Sequence, residues 1–268
     1  MHSILFRKKQ VTFYRSGEEH GTPVVLLHGF CEDSSVWQEW LDLLPHCRFI
    51  RIDLPGSGHS ELHDGLTIES MADTVIAVMD HLGVGEFHLV GHSMGGYVSL
   101  ALAEKHPQRL SSLCMFHSHV YADPEDKKAG RLKSIEFIKN HGHLLFVRQM
   151  IPNLFAQDFY REFAMTVKNH IRNAAQTAPE AIMADLEAMR IRPDRSEVLK
   201  NIACPVLFII GKLDAAIPLD FSYAQAHLPN VADIQLFPKV GHMGMLEAPR
   251  ETAKVFREFL SSFEKTKK

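Results

Sequence analysis

The amino-acid sequence predicts an α/β architecture: a mostly parallel sheet covered by helices on both faces and interrupted once by a helical insertion. Two features point there. Short apolar runs such as PVVLL, FHLV and PVLFII alternate with segments of helical periodicity and end in glycine-bearing turns, whereas residues 121–200 are charged and helical in pattern with no clear strand. Alternating strands and helices imply crossover connections between parallel strands, which bury both sheet faces and leave reactive groups in loops at the strands' carboxyl ends. A length of 268 residues with 46% hydrophobic and 23% charged residues suits one large domain. Residues 1–120 and 201–268 form the predicted core, and residues 121–200 a cap over its reactive edge.

Residues 3–15 read as two short strands broken near Arg7 to Lys9, and Pro23 to Leu27 as a third, more apolar one. Ser34 or Ser35 is placed to cap a helix reaching Leu44, because Val36, Trp37, Trp40, Leu41 and Leu44 share one face. Phe49 to Leu54 makes the next strand and ends in DLPGSGHS. A helix over Ile68 to Leu82 follows from Met71, Val75, Val78 and Met79, with GVGE closing it. Phe87 to Val90 is a strand that runs directly into GHSMGG and a helix ending near His106, and Leu113 to Phe116 is a further strand. Beyond the insertion come a strand in CPVLFII, a helix over 219–227, the strand ADIQLF and a closing helix from Pro249 to Phe263. The lysine-rich tail, 265–268, is expected to be mobile.

A net charge of −3 argues against the broad basic surface that nucleic acid requires. No apolar run approaches the ~20 residues of a membrane span, and the N-terminal stretch lacks the pattern of a signal peptide. Cys31, Cys47, Cys114 and Cys204 are scattered without a CxxC and read as small thiols, mostly buried. A cytoplasmic protein with neither nucleic-acid nor membrane partners is expected. Residues 121–200 carry 13 Lys and Arg against 11 Asp and Glu, the remainder 16 against 21, an asymmetry too small to imply an anionic substrate.

GHSMG fits G-x-S-x-G between a strand and a helix. In that bend Ser93 must adopt an unfavourable backbone conformation that lifts its hydroxyl clear of the sheet, and Gly91 and Gly95 lack the Cβ atoms that would collide. The helix beginning at Met94 points free N–H groups toward any oxyanion formed there. A serine hydroxyl needs a base, and the base an orienting acid. GKLDAAIP puts Asp214 at the end of one strand and VGHMGMLEAP puts His242 after the next. Asp123, after the strand preceding the insertion, is the alternative acid. His117/His119 and His141/His143 lie in different elements with no carboxylate or thiolate at a ligand spacing, so no metal site is expected.

HGF at 28–30, DLPGSGHS, GHSMGG, GKLDAAIP and GHMGMLEAP together resemble the α/β-hydrolase family in order and interval over almost the whole chain. The resemblance implies an eight-stranded, mostly parallel sheet whose second strand is antiparallel, with the cap between the sixth and seventh strands. It also implies a catalytic triad of Ser93, Asp214 and His242, and an oxyanion hole from the backbone N–H groups of Phe30 and Met94. His28, His117 and His119 are the candidate substrate-binding residues. The expected activity is cofactor-free hydrolysis of a small ester, lactone or thioester through an acyl-enzyme. A ligand receptor or a lyase on the same fold is the alternative, and a homo-oligomer is compatible with the sequence.

Overall fold

The computed structural model describes residues 1–44 and 46–264; the tail expectation at 265–268 lies outside the described residues. Eight strands make one sheet: β1 (His2–Phe6), β2 (Lys9–Gly17), β3 (Thr22–Leu27), β4 (Cys47–Ile52), β5 (Phe87–His92), β6 (Leu110–Phe116), β7 (Val206–Gly211) and β8 (Ala232–Phe237). Their spatial order is β1-β2-β4-β3-β5-β6-β7-β8. Only β2 runs against its neighbours; every other adjacent pair is parallel. The central strands are apolar and almost wholly buried, whereas β1 and β8 expose alternate residues as edge strands do. At the β1–β2 turn Arg7 and Lys8 both take positive φ, 50° and 64°, the mirror-image turn that matches strand twist.

The helices are α1 (Gln38–Leu41), α2 (Ile68–His81), α3 (Met94–Lys105), α4 (Glu125–His141), α5 (His143–Met150), α6 (Gln157–Glu162), α7 (Ala164–Ala174), α8 (Pro179–Ile191), α9 (Ser196–Lys200), α10 (Leu219–Ala226), α11 (Gly244–Glu247) and α12 (Pro249–Glu264). α2 starts in a reciprocal Thr67/Ser70 capping box and stops at Gly83, where Gly83 N–H bonds the Asp80 carbonyl and Val84 N–H that of Met79. The segment before β4 departs from expectation. Asp33, and neither serine, caps it by accepting from Ser35 N–H at 2.8 Å, and a 3-10 turn over Ser34–Trp37 precedes a helix that ends at Leu41. Tertiary packing overrides periodicity there: Trp37 and Trp40 lie 5.3 Å apart, and the Trp40 indole N–H donates to Thr252 on α12.

Between β6 and β7 the chain carries the helices α4 to α9 and, among the described residues, no strand. The ends of this excursion meet where Arg195 N–H donates to the Val120 carbonyl at 2.9 Å. The buried Arg195 guanidinium also pairs with Glu69 on α2 and Glu104 on α3, tying the excursion to the core. Cys31, Cys114 and Cys204 are free thiols.

Candidate active site

The β5–α3 bend holds Ser93 at φ 51°, ψ −112°, where a side chain is strained. Its backbone is pinned from three sides: Ser93 N–H donates to Phe116 O at 3.0 Å, and Ser93 O accepts from Gly96 N–H at 2.9 Å and the Ser118 hydroxyl at 2.8 Å. A Cβ on Gly95 would lie 2.7 Å from the Leu27 and His28 carbonyl oxygens, so α3 and the end of β3 touch backbone to backbone. That contact sets the 28–32 loop beside the start of α3. Among the described residues, neither Phe30 N–H nor Met94 N–H meets an acceptor within the protein.

Asp214 follows β7 and His242 follows β8. His242 Nδ1 lies 2.8 Å from Asp214 Oδ2, while Asp214 Oδ1 accepts from Ala216 and Ile217 N–H at 2.8 and 2.9 Å. Burial opposes ionisation of Asp214, but the neighbouring His242 and His117 outweigh it and hold the carboxyl well below the usual range. The His242 loop is braced by Glu247 of α11, whose carboxylate accepts from Gly241, Met243 and Ala156 N–H, each at 3.0 Å. Asp123 does not approach His242. It sits between Arg131 and Arg192, and although burial opposes its charge, hydrogen bonds from these guanidiniums lower its pKa to about 2.

Glu32 and His92 join these parts. Glu32 Oε2 accepts from Gly29 N–H at 2.6 Å and faces His92 Nδ1 at 3.0 Å, and His92 Nε2 faces the His242 carbonyl at 3.0 Å. Both imidazole nitrogens of His92 therefore point at acceptors, which favours the doubly protonated ring. Burial pulls the His92 pKa down, but Glu32 raises it overall; burial likewise disfavours the Glu32 carboxylate, yet His92 brings it to about 2. One buried ion pair thus links the 28–32 loop, the serine bend and the His242 backbone. Glu32 and Glu247 are not singled out by the sequence: Glu32 stands beside Asp33 in the polar stretch CEDSS, and only the fold shows what each acid holds.

Ser93 and His242 open onto one cavity of ≈ 440 Å³, whose other wall comes from Phe30 and from α4, α5 and α8. Phe146, Met150, Leu154, Leu186 and Met189 line it from the segment between β6 and β7. The candidate substrate-binding histidines lie elsewhere. His28 is 0% exposed, accepts Leu54 N–H at Nε2 and bonds its neighbour's carbonyl through Nδ1. His117 accepts Gly211 N–H, and His119 packs beside Tyr97 and Phe221. None of the three lines the cavity. Burial lowers the pKa of His117 to about 4 despite Asp214, and that of His119 to about 3 with help from Arg192. The described residues contain no metal-binding cluster of His, Cys, Asp or Glu.

These shifts give a pH dependence of stability. His117 and His119 are depressed below the ~6.5 of a free imidazole, so the unfolded chain binds more protons at acidic pH. Their contribution is complete above pH ~6.5 and is lost as pH falls toward 4 and 3, at about 1.4 kcal/mol per pH unit for each group. Glu32 and Asp123, near 2 when folded, add losses below pH ~4.5. His92 acts in the opposite sense, being raised, and loses its contribution as pH rises through its folded value. Urea midpoints measured from pH 8 to pH 4 should fall steeply below pH 6; a flat profile contradicts these burials.

The model for the alpha/beta hydrolase fold matches residues 22–249. This chain belongs to the α/β-hydrolase family. A dihydrolipoyllysine-residue acetyltransferase component of an acetoin cleaving system from Pseudomonas putida is 29% identical over 92% of the hydrolase, which spans only 66% of that relative. A thermophilic esterase from Thermogutta terrifontis, solved with malate bound, has a TM-score of 0.91 at 29% identity, covering 97% of this hydrolase and 98% of that chain. An enol-lactonase from Burkholderia xenovorans reaches 0.90 at 23% identity, over 97% and 100%, a likeness of fold. No helix among the described residues of the hydrolase is long and apolar enough to cross a membrane.

Proposed function

We propose that the protein is a serine hydrolase that cleaves a small carboxylic ester, lactone or thioester through an acyl-enzyme. The observation that carries this reading is Ser93 in its strained bend, facing the cavity it shares with His242, whose far nitrogen is bonded to an ionised Asp214. His242 Nε2 takes the Ser93 proton as Oγ attacks the substrate carbonyl. The oxyanion is received by the N–H groups of Phe30 and Met94 at the positive end of α3. Collapse expels the alcohol or thiol, which leaves with the proton from His242. A water deprotonated by His242 then attacks the acyl group, and the acid departs as the proton returns to Ser93. Asp214 stays ionised, holding the imidazole in register and offsetting its charge. Helices α4–α9 act as the cap that excludes bulk water.

Esterase activity in a relative 29% identical over nearly its full length supports the same reading. The test is turnover of a panel of short nitrophenyl esters, lactones and thioesters in isotopically labelled water. Repeated turnover with label in the acid product is expected. A single slow turnover would point to a ligand receptor, and product free of label to a lyase; either result contradicts the proposal.

A further inference from the structure

We propose, resting on the hydrolase reading above, that the substrate carries a carboxylate beyond its scissile carbonyl and that Lys127 on α4 is the receptor for that group. α4 turns Lys127, Gly130, Arg131 and Ser134 into the cavity. The spacing is that of one helical face, and the face is polar. The rest of the wall is largely apolar, with Phe30, Phe146, Met150, Leu186 and Ile217 among it. A helix against an apolar cavity normally turns apolar residues inward, so this stripe serves what enters the cavity.

Charge pairing singles out Lys127. Arg131 is paired with Asp123, and Asp123 also takes Arg192. Glu32, the acid in the same wall, is paired with His92, and Asp214 with His242. Lys127 Nζ meets only the Ala216 carbonyl, at 3.4 Å, and no carboxylate lies within salt-bridge reach of it among the described residues. Two guanidiniums share one carboxylate and an ammonium stands beside them, leaving this side of the cavity positive. Burial lowers the basicity of the neighbouring His119 first, and Arg192 and Lys127 lower it further against the opposing charge of Asp123. A Cβ at Gly130 would meet nothing within 4 Å, so the cavity is open at this point of the α4 face. Whole-segment charge counts average this placement away.

The test compares p-nitrophenyl pentanoate with the mono-p-nitrophenyl ester of glutaric acid, acyl groups of equal chain length that differ by the terminal carboxylate. The wild-type protein should prefer the glutarate ester in kcat/KM, and the preference should shrink as sodium chloride is added. Lys127→Met should cut that preference about tenfold, mainly through KM, and Lys127→Arg should keep most of it. Calorimetric binding of glutarate itself, weakened about tenfold in Lys127→Met, gives a readout that needs no turnover. Should neither ester be cleaved by folded protein, the hydrolase reading fails while glutarate binding still decides the anion site. A charged-to-neutral preference unchanged by Lys127→Met, an equal loss of both esters, or glutarate binding indifferent to Lys127 overturns the inference.

Discussion

Ser93→Ala is expected to lower ester turnover on the order of 10⁴-fold to 10⁶-fold while the circular dichroism spectrum and Tm stay near those of the wild type. The activity loss follows from deleting the only hydroxyl that the bend lifts into the cavity beside His242. Folding should survive because the backbone around position 93 is held by its own amide and carbonyl, bonded to Phe116, Gly96 and Ser118. Alanine keeps a Cβ at φ 51°, so the strain remains. Ser93→Gly removes it and should therefore be more stable than the wild type by about 1–3 kcal/mol while equally inactive. Stability gained on loss of the side chain is the mark of a residue held there for chemistry.

Asp214→Asn is expected to reduce turnover by roughly 10³-fold to 10⁴-fold with little change in KM. An amide cannot offset the charge that forms on His242, and its NH2 group competes for the wrong imidazole tautomer. The two backbone bonds from Ala216 and Ile217 go to the other oxygen, so the loop should persist. Asp123→Asn is the informative contrast. That carboxylate balances Arg131 and Arg192, and losing it leaves two guanidiniums facing each other beside the cavity. Its effect should fall on stability and on substrate affinity, with kcat reduced far less than in Asp214→Asn. Parallel kinetics on the two variants assign the acid; a larger kcat loss at position 123 would assign it there instead.

The serine bend was legible in the sequence because its geometry tolerates so few residue types: crowding at Gly91, Gly95 and Gly96 leaves no room for a side chain. The central strands were legible because they are buried on both faces and carry apolar runs, PVVLL in β3, Leu89–Val90 in β5, Leu113–Phe116 in β6 and VLFII in β7. The histidines were not. His28, His117 and His119 lie at the carboxyl ends of strands, as expected, yet spacing does not reveal which way an imidazole turns there. All three turn into backbone and aromatic neighbours, away from the cavity. The capping of the 33–41 segment was missed for a related reason, since a pair of tryptophans packed on α12 sets its path more strongly than its own periodicity. Glu32 is legible only in three dimensions: its partners Gly29 and His92 become neighbours once β3 and β5 pair.

The most direct test of the account is mass spectrometry of the protein after reaction with a serine-directed fluorophosphonate. One adduct, on the peptide bearing Ser93, is predicted for the folded wild type, with labelling slowed by orders of magnitude in His242→Ala. An adduct on a different residue, or an unlabelled but correctly folded protein, would contradict the assignment of Ser93 as nucleophile.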